Sequence, residues 1–223
     1  MVKRYRQFFR SDADGLRISA LSICPEEMPY KGVIQLVHGM SEHKERYEPF
    51  MEYMASLGYV AVIHDHRGHG QSVRSGDDLG YMYGGGADAM LADIASVNRQ
   101  IREKFPDLPL ILMGHSMGSL AVRAFAAEHD DCMDMLIVCG SPSNRRARIA
   151  GSMIAKLEGK LFGMRHRSRL LEILSFGNYA ARFSGEKTET HGSVRIRRYI
   201  RLIRTQNFAD LRLRTMLIWL CFS

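Results

Sequence analysis

Cysteine is scarce in this sequence, and its positions are scattered. The four cysteines among 223 residues form no C-x-x-C pair. They stand at Cys24, Cys132, Cys139 and Cys221. Disulfide frameworks and zinc-binding modules need closely spaced cysteines, so the sequence excludes both classes and favours a reducing compartment.

Long uncharged hydrophobic runs are also absent. The basic stretch at residues 1–10 is not followed by the apolar segment of a secretory signal, and no uncharged run is long enough to cross a bilayer. We therefore expect a soluble, cytoplasmic protein. Because 46% of the residues are hydrophobic, a chain of this length can bury the core of one compact domain.

Acidic residues are sparse at one end of the chain. The formal net charge is +7, and residues 188–223 contain seven arginines but two acidic residues. Residues 1–187 are therefore close to neutral, with a net charge of +2. Because the excess charge is confined to the tail, we expect no nucleic-acid partner.

Apolar runs alternate with amphipathic segments through the first 140 residues. Residues 5–9 and 16–23 read as an N-terminal hairpin. Further strands are predicted at 32–37, 59–63, 110–113 and 135–139, and helices at 44–57, 88–105 and 119–128. Strands that alternate with helices predict an α/β protein with a mainly parallel sheet.

A serine bracketed by two glycines stands between the third of the buried apolar runs, 110–113, and the helix that follows. The segment reads Gly114, His115, Ser116, Met117, Gly118. A G-x-S-x-G pattern at a sharp strand-to-helix turn is typical of a nucleophile elbow. Side chains at either glycine are predicted to collide with the neighbouring strand and helix. Ser116 is therefore the candidate nucleophile, and the Met117 amide is placed to donate to an oxyanion.

Two further motifs precede the elbow. His38–Met40, with Glu42 and His43, follows the first buried strand, and Asp65–Ser72 follows the next. Together with the elbow these motifs resemble the α/β-hydrolase superfamily, and within it the monoacylglycerol lipase, lysophospholipase and serine aminopeptidase-like branch. The resemblance extends to about Lys187. It implies an α/β-hydrolase fold with a helical cap, and a cofactor-free serine hydrolase that cleaves carboxylic esters through an acyl-enzyme. The implied substrates are monoacylglycerol-like, lysophospholipid-like or small acyl esters.

The resemblance also assigns roles to residues around the elbow. The backbone amides of Met40 and Met117 would form the oxyanion hole, and Gly39 would allow the chain to approach closely. For His38 and His115 we favour structural hydrogen bonding to neighbouring loops over proton transfer.

The loop after the second buried strand is rich in charged and imidazole side chains. We expect Asp65 and Arg67 to brace this loop through a local ion pair. The histidines at 64, 66 and 69 could suggest a metal, but no carboxylate cluster accompanies them. We therefore expect no metal site.

Three regions are predicted from these observations. Residues 1–141 form the N-terminal part of the hydrolase core, 142–187 a helical cap, and 188–223 an atypical tail. Within the cap, hydrophobic residues interleave with arginines and lysines. This pattern fits a lid over an acyl-chain pocket that contacts lipid interfaces, or ordinary helix packing with a solvated basic face. The resemblance favours a lid.

The tail departs from the family pattern. No strand-end aspartate followed by a histidine-bearing loop is recognisable after Lys187, and nothing supports His191 or Asp210 as triad members. We interpret the chain as truncated and hypothesise a shift of reading frame near Lys187, since an alternative frame can encode a family-like CGFTLT segment. A chain without triad acid and histidine is predicted to have weak or no esterase activity. The alternatives are a non-catalytic remnant or acyl-binding protein, and a peptidase-like member of the branch.

Overall fold

The computed structural model describes residues 1–142 and 145–174. These residues fall into two compact units, one made of residues 1–78 and 82–142 and the other of 79–81 and 145–174. The predicted tail at 188–223, with His191 and Asp210, lies outside the described residues.

The chain begins with an antiparallel hairpin of strands β1 (Val2–Arg10) and β2 (Arg17–Pro25). In its turn, Leu16 O accepts a hydrogen bond from Ser11 N at 2.8 Å, and Gly15 adopts a φ of 69°. The predicted hairpin is confirmed. Both strands are longer than predicted, since pairing continues to Val2 opposite Pro25.

Six strands form one sheet in the order β1-β2-β4-β3-β5-β6. The remaining strands are β3 (Gly32–Val37), β4 (Tyr59–His64), β5 (Leu110–His115) and β6 (Met135–Cys139). β2 runs antiparallel to β4, whereas β4, β3, β5 and β6 are parallel. The predicted α/β class with a mainly parallel sheet is therefore confirmed.

Four of the α-helices in the described ranges connect or follow these strands. They are α1 (Glu48–Ser56), α2 (Gly86–Lys104), α3 (Met117–Glu128) and α4 (Arg145–Phe162). The segment predicted as one helix from Lys44 starts as a 3-10 turn, Lys44–Tyr47, and becomes α-helical at Glu48. Pro49 lies in the first turn of α1, where its missing N–H leaves no helical hydrogen bond unmade.

The two faces of the sheet bury separate apolar clusters, because successive strand residues point to opposite sides. The cluster on the α1 face contains Leu21, Ile23, Ile34, Leu36, Met51, Ala55, Ala61 and Ile63. The cluster on the α2 face contains Cys24, Val33, Val60, Val62, Val97, Ile101 and Leu110. With both faces covered, the carboxyl ends of β3 and β5 are held side by side.

The described part of the second unit is mainly helical, and the helical cap at 142–187 stays a prediction. One stripe of α4 is apolar and exposed, with residues four apart at Ile149, Met153, Leu157 and Leu161. Arg165 lies over the ring of Tyr81, 4.3 Å from its centroid. Among the helices of residues 1–142 and 145–174, none is long and apolar enough to cross a membrane.

Candidate active site

Ser116 occupies the sharp turn between β5 and α3. Its backbone has φ 52° and ψ −116°, in the left-handed range that a serine seldom adopts. The Ser116 N–H donates to Cys139 O on β6 at 2.9 Å, and the Ser116 carbonyl accepts from Ser119 N at 3.0 Å. Strand and helix thus hold the strained serine from both sides.

The glycines that flank this turn leave no room for a side chain. A Cβ at Gly114 would lie 2.4 Å from Gly118 O and 2.6 Å from Val122 Cγ2 on α3. A Cβ at Gly118 would lie 2.1 Å from Val37 O at the end of β3. The predicted collisions are confirmed, so the turn lets α3 start directly against the end of β3.

The loop after β3 lies against the serine. A Cβ at Gly39 would be 3.2 Å from Ser116 Cβ, so only glycine allows this approach without displacing a neighbour. Met40 follows at once, and the described part of the chain supplies no acceptor for its N–H. Met117 is the first residue of α3, a position whose N–H has no partner within a helix. Both amides therefore remain available for an external acceptor.

Glu42 joins this loop to the elbow. Its Oε2 accepts from Gly39 N at 2.8 Å and from the Tyr47 hydroxyl at 2.7 Å, and lies 3.3 Å from His115 Nδ1. Its Oε1 forms an ion pair with Arg46 at 2.6 Å. One carboxylate thus fixes residues on both sides of Ser116. The sequence motif contained Glu42, but the bracing role follows only from these contacts.

The electrostatic environment keeps Glu42 ionised. Burial would raise its pKa, but the hydrogen bond with His115 and the charge of Arg46 lower the pKa to about 2. The same burial and the Glu42 carboxylate raise the pKa of the Tyr47 hydroxyl, which therefore remains a proton donor. The network consequently needs no protonation change near neutral pH.

His115 contacts the supporting network. Its Nδ1 lies 3.1 Å from the Tyr47 hydroxyl, and its Cδ2 and Nε2 face Gly140, where an added Cβ would be 3.6 Å away. Within residues 1–142 and 145–174, no histidine is hydrogen-bonded to the Ser116 hydroxyl. The contacts of His115 match the structural interpretation that the sequence favoured.

Asp65 braces the loop after β4. It accepts from Lys44 N and Lys44 Nζ, both at 2.7 Å, and from Gln71 N at 2.9 Å. Lys44 and Asp65 are both fully buried, and burial raises the pKa of the Asp65 carboxyl. Gly70 is required beside it, since a Cβ there would lie 2.3 Å from the Asp65 side chain.

Arg67 points away from Asp65. Its guanidinium binds Asp93 on α2 at 2.9 Å, Asp14 in the hairpin turn at 3.1 Å and the Ser11 hydroxyl at 2.9 Å. The predicted local ion pair is wrong: Asp65 and Arg67 each brace the loop, but their partners lie outside it. A fully buried guanidinium needs several acceptors, and the hairpin and α2 supply them.

Four buried histidines pack beneath the site. They are His38, His64, His66 and His69, and none is exposed to solvent. His38 donates from Nδ1 to Gly39 O at 2.7 Å and accepts from His66 N at Nε2 at 3.0 Å, which identifies a neutral ring. Burial lowers the pKa of His64 and of His69 to about 4 and holds the pKa of His38 and of His66 well below the ordinary value of a histidine. No group of three or more potential ligands is arranged for a metal ion in the described ranges.

Comparison with known proteins shows the family. Residues 28–217, most of the chain, match the family described as Serine aminopeptidase, S33. The chain belongs to this family. The match continues beyond Lys187, where the sequence motifs had ended the resemblance.

Among curated proteins, relatives include the monoacylglycerol lipase of Mycolicibacterium smegmatis, 30% identical over 156 residues, which are 66% of this chain and 51% of that protein. The monoglyceride lipase of Homo sapiens is 32% identical over 117 residues, 52% of this chain and 37% of that protein. The chain thus spans about half, or less, of the length of these relatives. It is a member of a hydrolase family that includes monoglyceride lipases.

Solved structures confirm the α/β-hydrolase fold. A carboxyl esterase from Bacillus coagulans in complex with glycerol has a TM-score of 0.79 at 22% identity, over 98% of this chain and 71% of that one. A monoglyceride lipase variant from Saccharomyces cerevisiae with a substrate analog has a TM-score of 0.74 at 19% identity, over 97% and 66% of the two chains. At these identities the likeness concerns the fold.

Proposed function

We propose that Ser116 is the nucleophile of a serine hydrolase site that cleaves carboxylic esters of the monoacylglycerol type. The hydroxyl would attack the acyl carbonyl and form an acyl-enzyme, which water then hydrolyses. The observation that carries the proposal is the strained backbone of Ser116, which two sterically required glycines hold at the end of β5.

The amides of Met40 and Met117 would stabilise the oxyanion. Two features support this role. Gly39 brings its loop within contact of Ser116, and the described residues leave both amides without an acceptor. Donors fixed by folding stabilise charge that develops in the transition state without reorganising. His38, His115, Gly114 and Gly118 would support this arrangement through packing and hydrogen bonds.

The substrate class is inferred from the relatives and from the second unit. Relatives named as monoacylglycerol or monoglyceride lipases favour a glycerol ester of one acyl chain. The exposed apolar stripe of α4 fits a cap segment that handles acyl chains or rests on a lipid surface.

We further propose that this chain turns over esters weakly or not at all. Support comes from the described residues, where no histidine is hydrogen-bonded to the Ser116 hydroxyl. When a nucleophilic serine lacks its base, the remaining rate acceleration comes only from substrate binding and the oxyanion donors.

Hydrolysis of 4-nitrophenyl butyrate and of a monoacylglycerol by the purified chain tests the proposal. Ser116→Ala should remove whatever slow hydrolysis the chain shows, whereas Ser56→Ala, at the exposed end of α1, should leave it unchanged. Rapid hydrolysis that depends on Ser116 would refute the predicted impairment. Hydrolysis that persists in Ser116→Ala would refute the nucleophile.

An aminopeptidase substrate gives the second arm, because the family description names that activity. Preference for an amino-acid anilide over both esters would replace the ester substrate class while retaining Ser116 as nucleophile. Acyl-chain binding without any reaction at Ser116 would favour a non-catalytic acyl-binding protein.

A further inference from the structure

A second cleft lies on the α2 face of the sheet, at its β1 edge. Its volume is about 450 Å³, within the range of small-molecule pockets. None of its lining residues belongs to the loop at 38–40, to the loop at 64–72 or to the elbow. The cleft is therefore a different cavity from the candidate active site.

The floor of this cleft is formed by small side chains of β2. Ala20, Ser22 and Cys24 lie on the α2 face of this strand, whereas Leu21 and Ile23 fill the core under α1. Valines of β4 and α2 form the adjoining apolar wall. Because Ala20, Ser22 and Cys24 are small, the space between this part of the strand and the end of α2 is left open.

The mouth of the cleft combines aromatic rings with one cation. Lys104 is the only charged residue among those that line the cleft. Its Nζ lies 5.8 Å from the ring centroid of Tyr5 and 5.6 Å from that of Phe105. Tyr30 packs edge-on against Phe105 at 6.0 Å. In the described part of the chain, Lys104 forms no salt bridge.

We propose that this cleft binds a free long-chain carboxylate, with the apolar tail along β2 and the carboxylate at Lys104. The tail gains from burial against the valines and Ala20. The single cation suits one negative charge, and a neutral lipid would leave it unused. Such a carboxylate is the acyl product of the hydrolysis proposed above. The interpretation of the cleft as a product site rests on that proposed function, whereas the binding of the carboxylate does not depend on it.

Isothermal titration of the full chain with dodecanoate, below the concentration at which it forms micelles, tests the proposal. The titrations use the Ser116→Ala background, so that binding is measured whether or not the chain hydrolyses esters. Dodecanol is the matched neutral probe with the same tail. Lys104→Gln removes the cation, Ser22→Leu fills the floor, and Lys31→Gln is the control at an exposed lysine outside the cleft.

We expect one dodecanoate per chain. Lys104→Gln should weaken dodecanoate binding about fivefold, the effect of one partly exposed ion pair, and should leave dodecanol binding unchanged. Ser22→Leu should weaken both probes by roughly an order of magnitude, because the added side chain occupies the tail site. Lys31→Gln should change neither.

Two results would overturn the proposal. The first is equal dodecanoate affinity with and without Lys104. The second is loss of dodecanoate binding by the chain with an intact Ser116 once a fluorophosphonate has modified that serine, which would assign the ligand to the acyl pocket of the candidate active site. If the chain does not hydrolyse esters but still binds dodecanoate through Lys104, the proposed function would fail while the proposal of a carboxylate site in this cleft would stand.

Discussion

At the residue scale, single atoms decide whether the elbow can form. The strain at Ser116 persists because two glycines allow the strand and the helix to meet without a side chain between them. Three buried networks around Glu42, Asp65 and Arg67 then fix the loops on either side. Two predictions test these local constraints.

Gly118→Ala should destabilise the fold by about 3 kcal/mol or more, since its Cβ meets backbone that cannot rotate away. The nearest atom, Val37 O, would be 2.1 Å from the new Cβ. Urea unfolding measures the effect. Gly76→Ala is the control, because a Cβ there meets nothing within 4 Å. Equal stability of the two variants would contradict the geometry of the elbow.

Glu42→Gln should lower the free energy of unfolding by about 1–3 kcal/mol, because the partly buried Arg46 and Tyr47 groups lose the anionic acceptor that they share. It should also slow any reaction at Ser116, since Gly39 is held by the same carboxylate. Glu52→Gln, at an exposed pair with Arg4, serves as the control and should change little. Chemical denaturation of both variants gives the comparison, and identical losses would remove Glu42 from its bracing role.

At the scale of elements, the two edges of the sheet differ in chemistry. β1 carries Lys3, Arg4, Arg6 and Arg10, and charged side chains discourage pairing between edges. β6 is apolar throughout and exposed, with Met135, Leu136, Ile137 and Val138 each between 37% and 54% accessible. Among described residues, β6 pairs with β5 alone.

We therefore predict that the chain self-associates through β6. Ile137→Lys should shift sedimentation toward the monomer at a given concentration, because a charged edge resists strand addition. Phe8→Lys on β1 is the matched control at the opposite edge and should not alter association. If both variants sediment as the unaltered chain does, β6 is not the contact.

Most strands and helices could be predicted from the sequence, because apolar runs form them and glycines end them through interactions between residues close in sequence. β6 was predicted to the residue, and the parallel strands within one or two residues. The partners of Asp65 and Arg67 could not be predicted. Asp65 binds Lys44, 21 positions away, and Arg67 binds Asp93 and Asp14, 26 and 53 positions away. These residues meet only after folding. The 3-10 start before α1 was also missed, since the periodicity of Tyr47, Phe50 and Met54 continues across it.

At the scale of the whole molecule, the buried histidines couple stability to pH. His64 and His69 are neutral in the fold with a pKa of about 4, whereas in the unfolded chain they titrate near 6.5. Below pH 6.5 the unfolded state binds more protons, so stability is full above this value and falls as the pH drops toward 4. Glu42, with its pKa of about 2, loses its ion pairs only at a lower pH than this range.

His64→Leu should reduce the dependence of unfolding free energy on pH between 6.5 and 4 by up to about 1.4 kcal/mol per pH unit. Among the described residues, neither ring nitrogen of His64 has a hydrogen-bond partner, so leucine leaves none of their polar groups unpaired. The exposed His129→Gln is the control and should retain the original slope. Urea titrations at pH 7.5, 6.5 and 5.5 provide the slopes, and unchanged pH dependence in His64→Leu would rule out this coupling.

The most direct test of the account is the reaction of the chain with a fluorophosphonate probe, followed by mass-spectrometric mapping of the modified residue and measurement of its rate. We predict slow modification, confined to Ser116 and absent in Ser116→Ala, because the proposed oxyanion donors would act there without an identified base. Modification at another serine, or none after prolonged exposure, would contradict Ser116 as the nucleophile. Rapid modification at Ser116 would contradict the predicted impairment and require a base outside the described residues.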